Sequence, residues 1–384
     1  MKFLVDGVFF QLNDTGIARV WCSLLELLAK EGRFELYVLD RGRAPDIANI
    51  TFIPFPSFTE TYCPADSQLI QAVCDEYNID VFSSTYYTTP ISTPMVLMVH
   101  DMIPELFGFD LSARVWMEKE TAICYAQRFL CVSQNTRNDL LSIYPEILPA
   151  NVSVAYNGID PKRFKVREPN EIETLKKKFG LDRPYFLFVG DRVQHKGYKN
   201  SALFFDALAG MPDADFDVFC IGGEPDIDAS IRGKVPDTVR CFHAKVTDEE
   251  LAIAYAGALS LVYPSLYEGF GMPVVEAMAS GCPVITTNRG ALSEAAGDAA
   301  YTIAGDSVEE MRQAVQKLQD PELRQELRRK GIAHAAHFRW PKMVAVLVDC
   351  LERVVEEARA GQYDRFFDAW KKIRNIQSHV DYSR

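Results

Sequence analysis

Short apolar runs alternate with amphipathic stretches along the first 160 residues. The apolar runs predict strands over 3–10, 35–40, 50–55, 81–84, 95–100, 128–133 and 152–156. Helical periodicity lies between several of these runs, near 17–30, 66–77, 112–127 and 134–144. Strands that alternate with helices indicate a parallel sheet covered by helices, so we predict an α/β, Rossmann-like doubly wound domain over 1–160.

A charged, turn-rich stretch over 161–182 precedes a second series of the same kind. Its apolar runs predict strands over 185–190, 215–222, 259–264, 282–287 and 299–303, with helices near 199–210, 247–257, 272–280 and 306–318. We therefore predict a second doubly wound domain over 161–338. Two such domains usually bind a ligand in the cleft that they face, at the carboxyl ends of their strands.

The last stretch, 339–384, has the pattern of amphipathic helices. Apolar side chains recur at helical spacing at 343, 344, 347, 348, 351, 354 and 355. Because such a stripe needs a partner surface, we predict that the C-terminal helix packs back toward the first domain. The mixed sign of its charges does not favour a helix that lies on a membrane surface.

Composition narrows the classes of function. The chain has 384 residues, a formal net charge of −12 and a pI near 5.1, which argues against a nucleic-acid binder that works by broad phosphate neutralisation. No apolar run has the length of a membrane-spanning helix, and the N-terminal stretch does not have the pattern of a signal peptide. Nine scattered cysteines without a Cys-x-x-Cys pair favour free thiols and a reducing cytoplasm.

The segment YPSLYEGFGMPVVEAMASGCPVI, residues 263–285, places chemistry directly after a predicted strand. Glu268 lies in the loop with Gly269 and Gly271, and Glu276 lies in what we predict to be the first turn of the next helix. A helix N-terminus and a close-approaching glycine backbone favour an anion such as a diphosphate. Carboxylates beside an anion site suit sugar hydroxyls, although a solvated Glu268 and a dipole-stabilised Glu276 are the plain alternative.

This segment resembles the Glu-x7-Glu signature of the retaining glycosyltransferases of family four, which have the GT-B fold. Further segments resemble the family in its usual order: TGIARV, MVHDMIPELF, FLCVSQNTRNDL, VAYNGID, FLFVGDRVQHKGYKN, IGGEP, VTDEELAIAYAGA and GALSEAAGDAA. The resemblance covers most of the chain. It implies transfer of a sugar from a nucleotide diphosphate donor with retention at the anomeric carbon, with an acceptor-binding first domain and a nucleotide-sugar-binding second domain.

The resemblance also implies roles for the two glutamates and the residues between them. Glu276 would hold the ribose hydroxyls and Glu268 the hydroxyls of the donor sugar. The backbone amides from Gly269 through Phe270 and Gly271 to Met272 would contact the sugar and the phosphates.

Cations follow the predicted strand 185–190. Arg192 resembles the family's arginine that faces the leaving diphosphate, and a lysine is expected beside it in place of a metal ion. Either Lys196 or Lys199 fits that position, and Lys199 is slightly favoured.

Strand ends in the first domain supply the remaining candidates. Gly16 precedes a predicted helix and would let the chain pass close to the acceptor or to a donor phosphate, although a plain turn explains it nearly as well. His100 and Asp101 follow the apolar run MVLMV, residues 95–99, and resemble the family's active-site histidine region near the donor sugar. No side chain stands out as a nucleophile, so a front-face mechanism is expected, in which a phosphate oxygen takes the proton of the acceptor hydroxyl.

No metal ion and no cofactor are expected. The Asp-x-Asp tripeptides 213–215 and 226–228 are interpreted as solvated, because an acidic chain contains such pairs by chance. His334 and His337 could meet a metal at helical spacing, but without further ligands they are interpreted as surface residues.

The best prediction for the reaction is transfer of a hexose, with GDP-mannose as the leading donor and UDP-sugars as the alternative. The TGIAR-like start together with HDMIPE and AGDAA resembles mannosyltransferases of bacterial surface-polysaccharide and lipopolysaccharide assembly. The acceptor would be a glycan or a lipid-linked saccharide, with residues 54–68 as a candidate lip of its site. A cytoplasmic protein is expected, with weak peripheral association at the inner face of the plasma membrane for a lipid-linked acceptor. A sugar-nucleotide 2-epimerase and an inactive nucleotide-sugar-binding protein are the other classes.

Overall fold

The computed structural model describes residues 1–13, 16–60, 65–192, 197–224 and 229–379. The chain divides into two units. The first unit consists of Met1–Gly158 and Trp340–Arg384, and the second consists of Ile159–Arg339. The first unit is therefore built from two separate stretches of chain, and the second from one.

The first unit contains parallel strands in the order expected of a doubly wound sheet. Its strands are β1 (Lys2–Asp6), β2 (Glu35–Asp40), β3 (Ile50–Pro54), β4 (Val81–Ser84), β5 (Val96–Val99), β6 (Arg128–Cys131) and β7 (Val152–Val154). They pair in the orders β3-β2-β1-β4 and β5-β6-β7, and a parallel bridge between Phe82 and Met95 joins the two groups. The order reverses between β1 and β4, which makes their carboxyl ends the switch point of this sheet.

Helices connect these strands: α1 (Val8–Leu12), α2 (Ile17–Glu31), α3 (Ala65–Tyr77), α4 (Ile103–Leu106), α5 (Arg114–Tyr125) and α6 (Gln134–Ile143), with a short 3-10 helix at Pro149–Asn151. The strand predicted over 3–10 is too long, because β1 ends at Asp6 and α1 begins at Val8. Gly7 lies between them, and its amide donates to Leu39 O at 3.1 Å. A Cβ there would be 2.7 Å from that oxygen, so the chain turns where only glycine fits.

The second unit has one six-stranded parallel sheet. Its strands are β8 (Tyr185–Val189), β9 (Asp217–Ile221), β10 (Cys241–Ala244), β11 (Ser260–Tyr263), β12 (Val284–Thr287) and β13 (Tyr301–Ile303). They lie in the order β10-β9-β8-β11-β12-β13. The order reverses between β8 and β11, so both units are Rossmann-like, as predicted. The prediction missed β10, whose side chains are mostly only partly buried at the edge of the sheet.

The helices of this unit are α7 (Pro169–Phe179), α8 (Ser201–Ala209), α9 (Ala229–Arg232), α10 (Asp248–Gly257), α11 (Met272–Ala279), α12 (Leu292–Ala296), α13 (Val308–Lys317) and α14 (Pro321–Ala335). Helix α7 contradicts the turn-rich interpretation of 161–182. Glu168 and Glu171 form a capping box around Pro169, and Gly180 ends the helix at φ 71°. These are ordinary start and stop signals, and Leu175 supplies the buried contact.

Two further helices, α15 (Trp340–Arg359) and α16 (Asp364–Gln377), complete the first unit. The apolar stripe of α15 is buried at every predicted position and packs on α2 and on strands β4 to β7. Each such aliphatic side chain contributes about 1.5–3 kcal/mol by burial. The rings of Phe366, Phe367 and Trp370 in α16 lie around Tyr125. The predicted packing of the C-terminal helix toward the first domain is confirmed.

The chain leaves and re-enters the first unit at adjacent points. A Cβ at Gly158 would lie 2.2 Å from the backbone nitrogen of Trp340, so glycine is required by the close approach of the two crossings. On the side of the second unit, Ile159 N donates to Phe338 O at 3.1 Å. The described cysteines all carry free thiols. Within the described ranges, no helix is both long enough and apolar enough to cross a membrane.

Candidate active site

Three loops form the candidate site at the carboxyl edge of the second sheet, and two of them, after β8 and β11, hold most of the predicted residues. They follow β8, β9 and β11, which lie around the point where the strand order reverses. Backbone and side-chain contacts join the loops: Leu266 N donates to Tyr198 O at 2.7 Å, and Asn200 Nδ2 donates to Pro264 O and Gly305 O at 3.2 and 2.8 Å. The site therefore rests on a cross-linked edge of the sheet.

Glu268 is the centre of this edge. Its Oε1 accepts hydrogen bonds from Lys199 Nζ at 2.8 Å, from Tyr263 OH at 2.8 Å and from Ser265 Oγ at 2.7 Å. Within the described residues no donor reaches Oε2. One carboxylate oxygen is thus fixed by three donors, and the other retains its acceptor capacity.

Lys199 is the cation of the site. Burial alone would lower the pKa of its ammonium, but the charge of Glu268 and the neighbouring phenols raise that pKa well above its usual value. Burial also raises the pKa of Tyr263, followed by the effect of Glu268, so the phenol remains a hydrogen-bond donor. Lys199 is thus a permanent positive charge beside the free edge of Glu268. Lys196, the competing candidate, lies outside the described residues.

The turn into α11 has the conformation that its glycines predict. Gly271 has φ 99°, and a Cβ there would lie 2.8 Å from Leu292 Cδ2, so both conformation and space favour glycine. Phe270 is buried with its ring 5.4 Å from that of Phe338, which fixes the loop from below. Met272 begins the helix, as predicted, and Pro273 follows in its first turn.

Glu276 lies one turn deeper than expected. It is the fifth residue of α11, because the helix begins at Met272, so the prediction of a first-turn position is wrong. Only 2% of the residue is exposed, and its Oε2 accepts a hydrogen bond of 3.2 Å from Tyr255 OH. A carboxylate buried to this degree is costly unless it is hydrogen-bonded, which argues against a solvated, dipole-stabilised residue.

Arg192 is also buried, with 2% exposed, and its guanidinium is held by the loop after β9. Nη1 donates to Gly222 O at 2.8 Å and Nη2 donates to Glu224 O, while the Arg192 amide donates to the Glu224 carboxylate at 2.8 Å. Nε is buried and has no acceptor within the described residues. Nη1 and Nη2 each carry a second N–H, so the guanidinium keeps further donors while both carbonyls stay bound.

The predicted residues of the first unit follow β5 and precede α2. His100 is 7% exposed, and its Nε2 has no hydrogen-bond partner within the described residues. Burial lowers the pKa of the imidazole to about 3, and the charge of Lys119 adds to the effect. Asp101 Oδ1 accepts from the amide of Ile103, the first residue of α4, at 3.0 Å. Gly16 has φ 53° at the start of α2, and a Cβ there would meet no atom within 4 Å.

The aspartates and histidines that were considered as metal ligands do not lie together in a metal site within the described residues. Asp213 and Asp215 are exposed, and Asp215 pairs with Arg183 at 3.4 Å; residues 226–228 lie outside the described residues. His334 Nε2 contacts Ala295 O at 3.1 Å. Across the described ranges, no three His, Cys, Asp or Glu side chains form a group that could hold a metal ion.

Sequence reasoning missed the residues that fix the two glutamates. Tyr263 and Ser265 lie in the same segment as Glu268, and their hydroxyls could have been assigned to a carboxylate three to five positions away. Tyr255 lies in α10, 21 positions before Glu276, and no local pattern predicts that contact.

The chain is similar to known proteins in both units. A family model described as Glycosyltransferase Family 4 matches residues 15–163, and one described as Glycosyl transferases group 1 matches residues 171–334. Together they span most of the chain.

Individual relatives match in part. The chain is 29% identical to O-antigen chain mannosyltransferase B of Escherichia coli over 59% of this chain and 61% of that protein. It is 25% identical to O-antigen chain mannosyltransferase RfbU of Salmonella typhimurium over 63% of this chain and 65% of that protein. The matches thus span about three-fifths of the length of these curated relatives.

Among solved structures, Anabaena Alr3699/HepE in complex with UDP and glucose superposes with a TM-score of 0.71 over 92% of this chain and 100% of that chain, at 17% identity. At that identity the likeness shows the fold alone. With both family models matched, the chain belongs to the glycosyltransferases of family four, which have the GT-B fold.

Proposed function

We propose that this chain is a retaining glycosyltransferase that moves a hexose from a nucleotide diphosphate donor to a glycan or lipid-linked acceptor. The observation that carries the proposal is the pair of buried, hydrogen-bonded glutamates, Glu268 and Glu276, with Lys199 beside the first. They lie where a glycine-shaped turn begins α11, and this combination suits a ligand that has both hydroxyls and a diphosphate.

Each residue then has a defined part. The free Oε2 of Glu268 accepts a hydroxyl of the donor sugar, and Glu276 accepts the ribose hydroxyls. Lys199 and the amides from Gly269 to Met272 hold the diphosphate, and Arg192 joins them through its remaining guanidinium N–H groups. A fixed cation at a leaving diphosphate stabilises the charge that develops in the transition state, so no divalent metal is required.

Among the described residues of the candidate site no side chain stands out as a nucleophile, which favours attack by the acceptor hydroxyl on the face that the diphosphate leaves. A phosphate oxygen takes the proton of the acceptor. His100 is neutral above pH 5 and keeps Nε2 available, which suits a hydrogen bond to the donor sugar rather than proton transfer.

GDP-mannose is the leading donor, supported by the two O-antigen mannosyltransferase relatives, and the acceptor then belongs to surface-polysaccharide or lipopolysaccharide assembly. A UDP-sugar is the second candidate, because the Anabaena structure was solved with UDP and glucose. The proposal places the reaction in the cytoplasm, at the inner membrane face when the acceptor is lipid-linked.

The deciding experiment is a thermal-shift and calorimetric screen of GDP, UDP, ADP and dTDP with their common sugar forms, first in EDTA and then with magnesium. A ligand at a hundredfold excess over its dissociation constant stabilises by about 2.7 kcal/mol, so a donor stands out. GDP-selective binding in EDTA supports the metal-independent mannosyltransferase. UDP-selective binding supports a UDP-sugar as the donor instead of GDP-mannose.

Products separate the remaining classes. Slow release of the free α-sugar from an α-linked donor, followed by NMR at the anomeric carbon, supports retention. Release of the β-sugar contradicts retention, interconversion to an epimer identifies a 2-epimerase, and no turnover in spite of binding identifies a nucleotide-sugar-binding protein.

A further inference from the structure

A cluster of charged side chains lies inside the first unit, at the switch point of its sheet. We refer to it as the charge cluster, and it has three acids and three arginines: Asp6, Asp66, Glu118, Arg41, Arg114 and Arg374. All are buried except Asp66, which is partly exposed. None has a part in the proposed donor chemistry.

Direct contacts connect five of these side chains in a row. Arg41 donates from Nε and Nη2 to the two oxygens of Asp6, both at 2.8 Å, and its Nη1 lies 3.6 Å from Asp66. Arg114 donates to Asp66 at 2.6 Å and to Glu118 at 2.9 Å. With Arg374 included, the formal charges of the six side chains balance when all three acids are ionised, and each arginine presents a rigid fork of donors.

Both of these arginines also hold residues 55–60, the segment directly after β3. Arg41 Nη1 donates to Pro56 O at 2.9 Å, and Arg114 Nη1 donates to the carbonyl and hydroxyl oxygens of Thr59 at 2.7 and 3.0 Å. The Arg114 guanidinium lies 4.0 Å above the ring centre of Phe58.

A third side chain fixes the same segment. The amide of Gln11 closes a two-way contact with the backbone of Phe58, at 2.7 Å to N and 3.0 Å to O. Apart from the Phe55 amide, which donates to Asp40 O of β2 at 2.9 Å, side chains supply the contacts that hold residues 55–60. This segment belongs to the candidate lip of the acceptor site.

Arg374 reaches the cluster from the C-terminal helix α16. Its Nη2 donates to Ser67 Oγ at 2.6 Å, near the start of α3. With Asp66, Glu118 and Thr88 it lines a small polar cavity of about 10 Å³. Helix α16 is thus attached to the helix that carries Asp66, the residue that both other arginines contact.

Buried ion pairs are poor stabilisers, because apolar side chains of the same volume usually serve the core at least as well. What a network of forked arginines provides is one defined geometry for whatever it contacts. Here the contacted element is a short surface segment without regular structure.

We propose that Arg114 and Arg374 are positioning residues that fix the conformation of residues 55–60 and thereby set which saccharide acceptor is used. The acceptor part rests on the proposed function, whereas the positioning part does not. The acceptor specificity of this chain is then shaped from within the first unit, by the charge cluster and α16.

Hydrogen–deuterium exchange on the full chain tests the positioning part. Arg114→Met and Arg374→Met are compared with Lys371→Met, a control at an exposed position of α16. Exchange at the Phe58 amide is expected to rise at least tenfold in the first two variants and to stay at the wild-type rate in the control, with β1 unchanged. Wild-type exchange at residues 55–60 in both arginine variants overturns the proposal.

Arg114→Lys and Thr59→Ala keep the test decisive if a methionine variant does not fold. The lysine keeps the charge without the fork, and Thr59→Ala removes one acceptor from the segment without leaving a buried charge unpaired. Faster exchange confined to residues 55–60 supports positioning, and unchanged exchange in both variants contradicts it.

Kinetics test the acceptor part, with octyl α-mannoside and octyl β-N-acetylglucosaminide as probes. Arg374→Met is expected to raise the acceptor KM at least tenfold while the donor KM stays within twofold. Equal changes in both constants overturn the specificity claim. If wild-type protein transfers to neither probe and binds no nucleotide, the proposed function fails, and exchange still decides the positioning claim.

Discussion

Lys199 and Glu268, 69 positions apart in the chain, meet at 2.8 Å between Nζ and Oε1 at the carboxyl edge of the second sheet. Each neutralises the other, so the cation is held in place before any ligand arrives. A bound diphosphate would compete with the carboxylate for the same ammonium. In the proposed function, the lysine of the donor site would therefore be preorganised.

Removal of that cation should be the most damaging single change at the edge. Lys199→Ala is expected to lower kcat about 10²–10³-fold, by analogy with loss of one oxyanion donor at about 3–4 kcal/mol. Lys177→Ala, at an exposed position of α7, serves as the control and should match wild type. A larger loss from Lys196→Ala than from Lys199→Ala would assign the diphosphate to the other lysine.

Glu276 and its partner Tyr255 should act on the ribose. GDP or UDP, whichever binds, is compared by calorimetry with its 2′-deoxy form. Wild type should lose about 1.5–3 kcal/mol of binding free energy on removal of the hydroxyl, since the bond is to a charged group. Glu276→Gln should bind both forms almost equally, and Tyr255→Phe should lie between. If Glu276→Gln and wild type discriminated equally between the nucleotide and its 2′-deoxy form, Glu276 would not contact the ribose.

The pH dependence of stability should reveal the neutral state of His100. Its pKa of about 3 in the folded protein is below the usual 6.5, so only the unfolded chain binds a proton between these values. The contribution of His100 to the free energy of unfolding is at its full value above pH 6.5 and falls as the pH decreases. From pH 7.5 to pH 5.0 the loss is about 2 kcal/mol. In urea titrations, the free energy of unfolding of His100→Gln should fall by about 2 kcal/mol less than that of wild type between pH 7.5 and pH 5.0. Identical losses in the two proteins would show a solvated imidazole.

The contribution of Glu118 to stability should change with pH in the opposite direction to that of His100. Burial raises its pKa to about 7, against the attraction of Arg114, so the folded state keeps a proton that the unfolded chain releases above about pH 4.5. Stability from this group falls as pH rises from 4.5 to 7 and is constant above that range.

Glu118→Gln removes the dependence, because the amide stays neutral. Relative to wild type, the variant should gain at most about 3 kcal/mol in free energy of unfolding between pH 4.5 and 7.5. The neighbouring charges of Arg41, Asp66 and Arg374 are the same in both proteins. A constant difference across this range would place the pKa of Glu118 near its usual value.

Gly271 should tolerate no side chain. Gly271→Ala puts a Cβ 2.8 Å from Leu292 at φ 99° and is expected to cost about 1–3 kcal/mol of stability, with weaker nucleotide binding as the α11 turn shifts. Gly233→Ala is the matched control, because its nearest contact is an ordinary 3.4 Å. Unchanged nucleotide affinity in a folded Gly271→Ala protein would separate this turn from the donor site.

Sequence patterns predicted the features that depend on local order. The α11 turn and the stripe of α15 follow from glycine placement and periodicity, and both have the predicted form in the structure. The capped helix α7 was missed because its high charge concealed a complete set of start and stop signals. The early end of β1 was missed because VFF fits a strand and a helix equally well.

Contacts between distant segments could not be predicted in this way. The hydroxyl of Tyr255 on Glu276 and the guanidinium of Arg374 beside Ser67 join residues 21 and 307 positions apart. Likewise, the sequence predicted the loop that carries Arg192. That its guanidinium donates to the carbonyls of Gly222 and Glu224 depends on how two loops pack. A functional residue at a strand end can be predicted from one segment of sequence, whereas the residues that it contacts are determined by the fold.

The close crossing at Gly158 and Trp340 has a consequence for synthesis on the ribosome. The second unit is one continuous stretch, so all its strands emerge before α15, which covers β4 to β7 of the first unit. The unit encoded first is therefore the last to complete its core, in contrast to the usual N-terminal-first order. Until residues 340–359 arrive, those strands keep an apolar face uncovered, and a chain truncated there presents that face to chaperones and proteases.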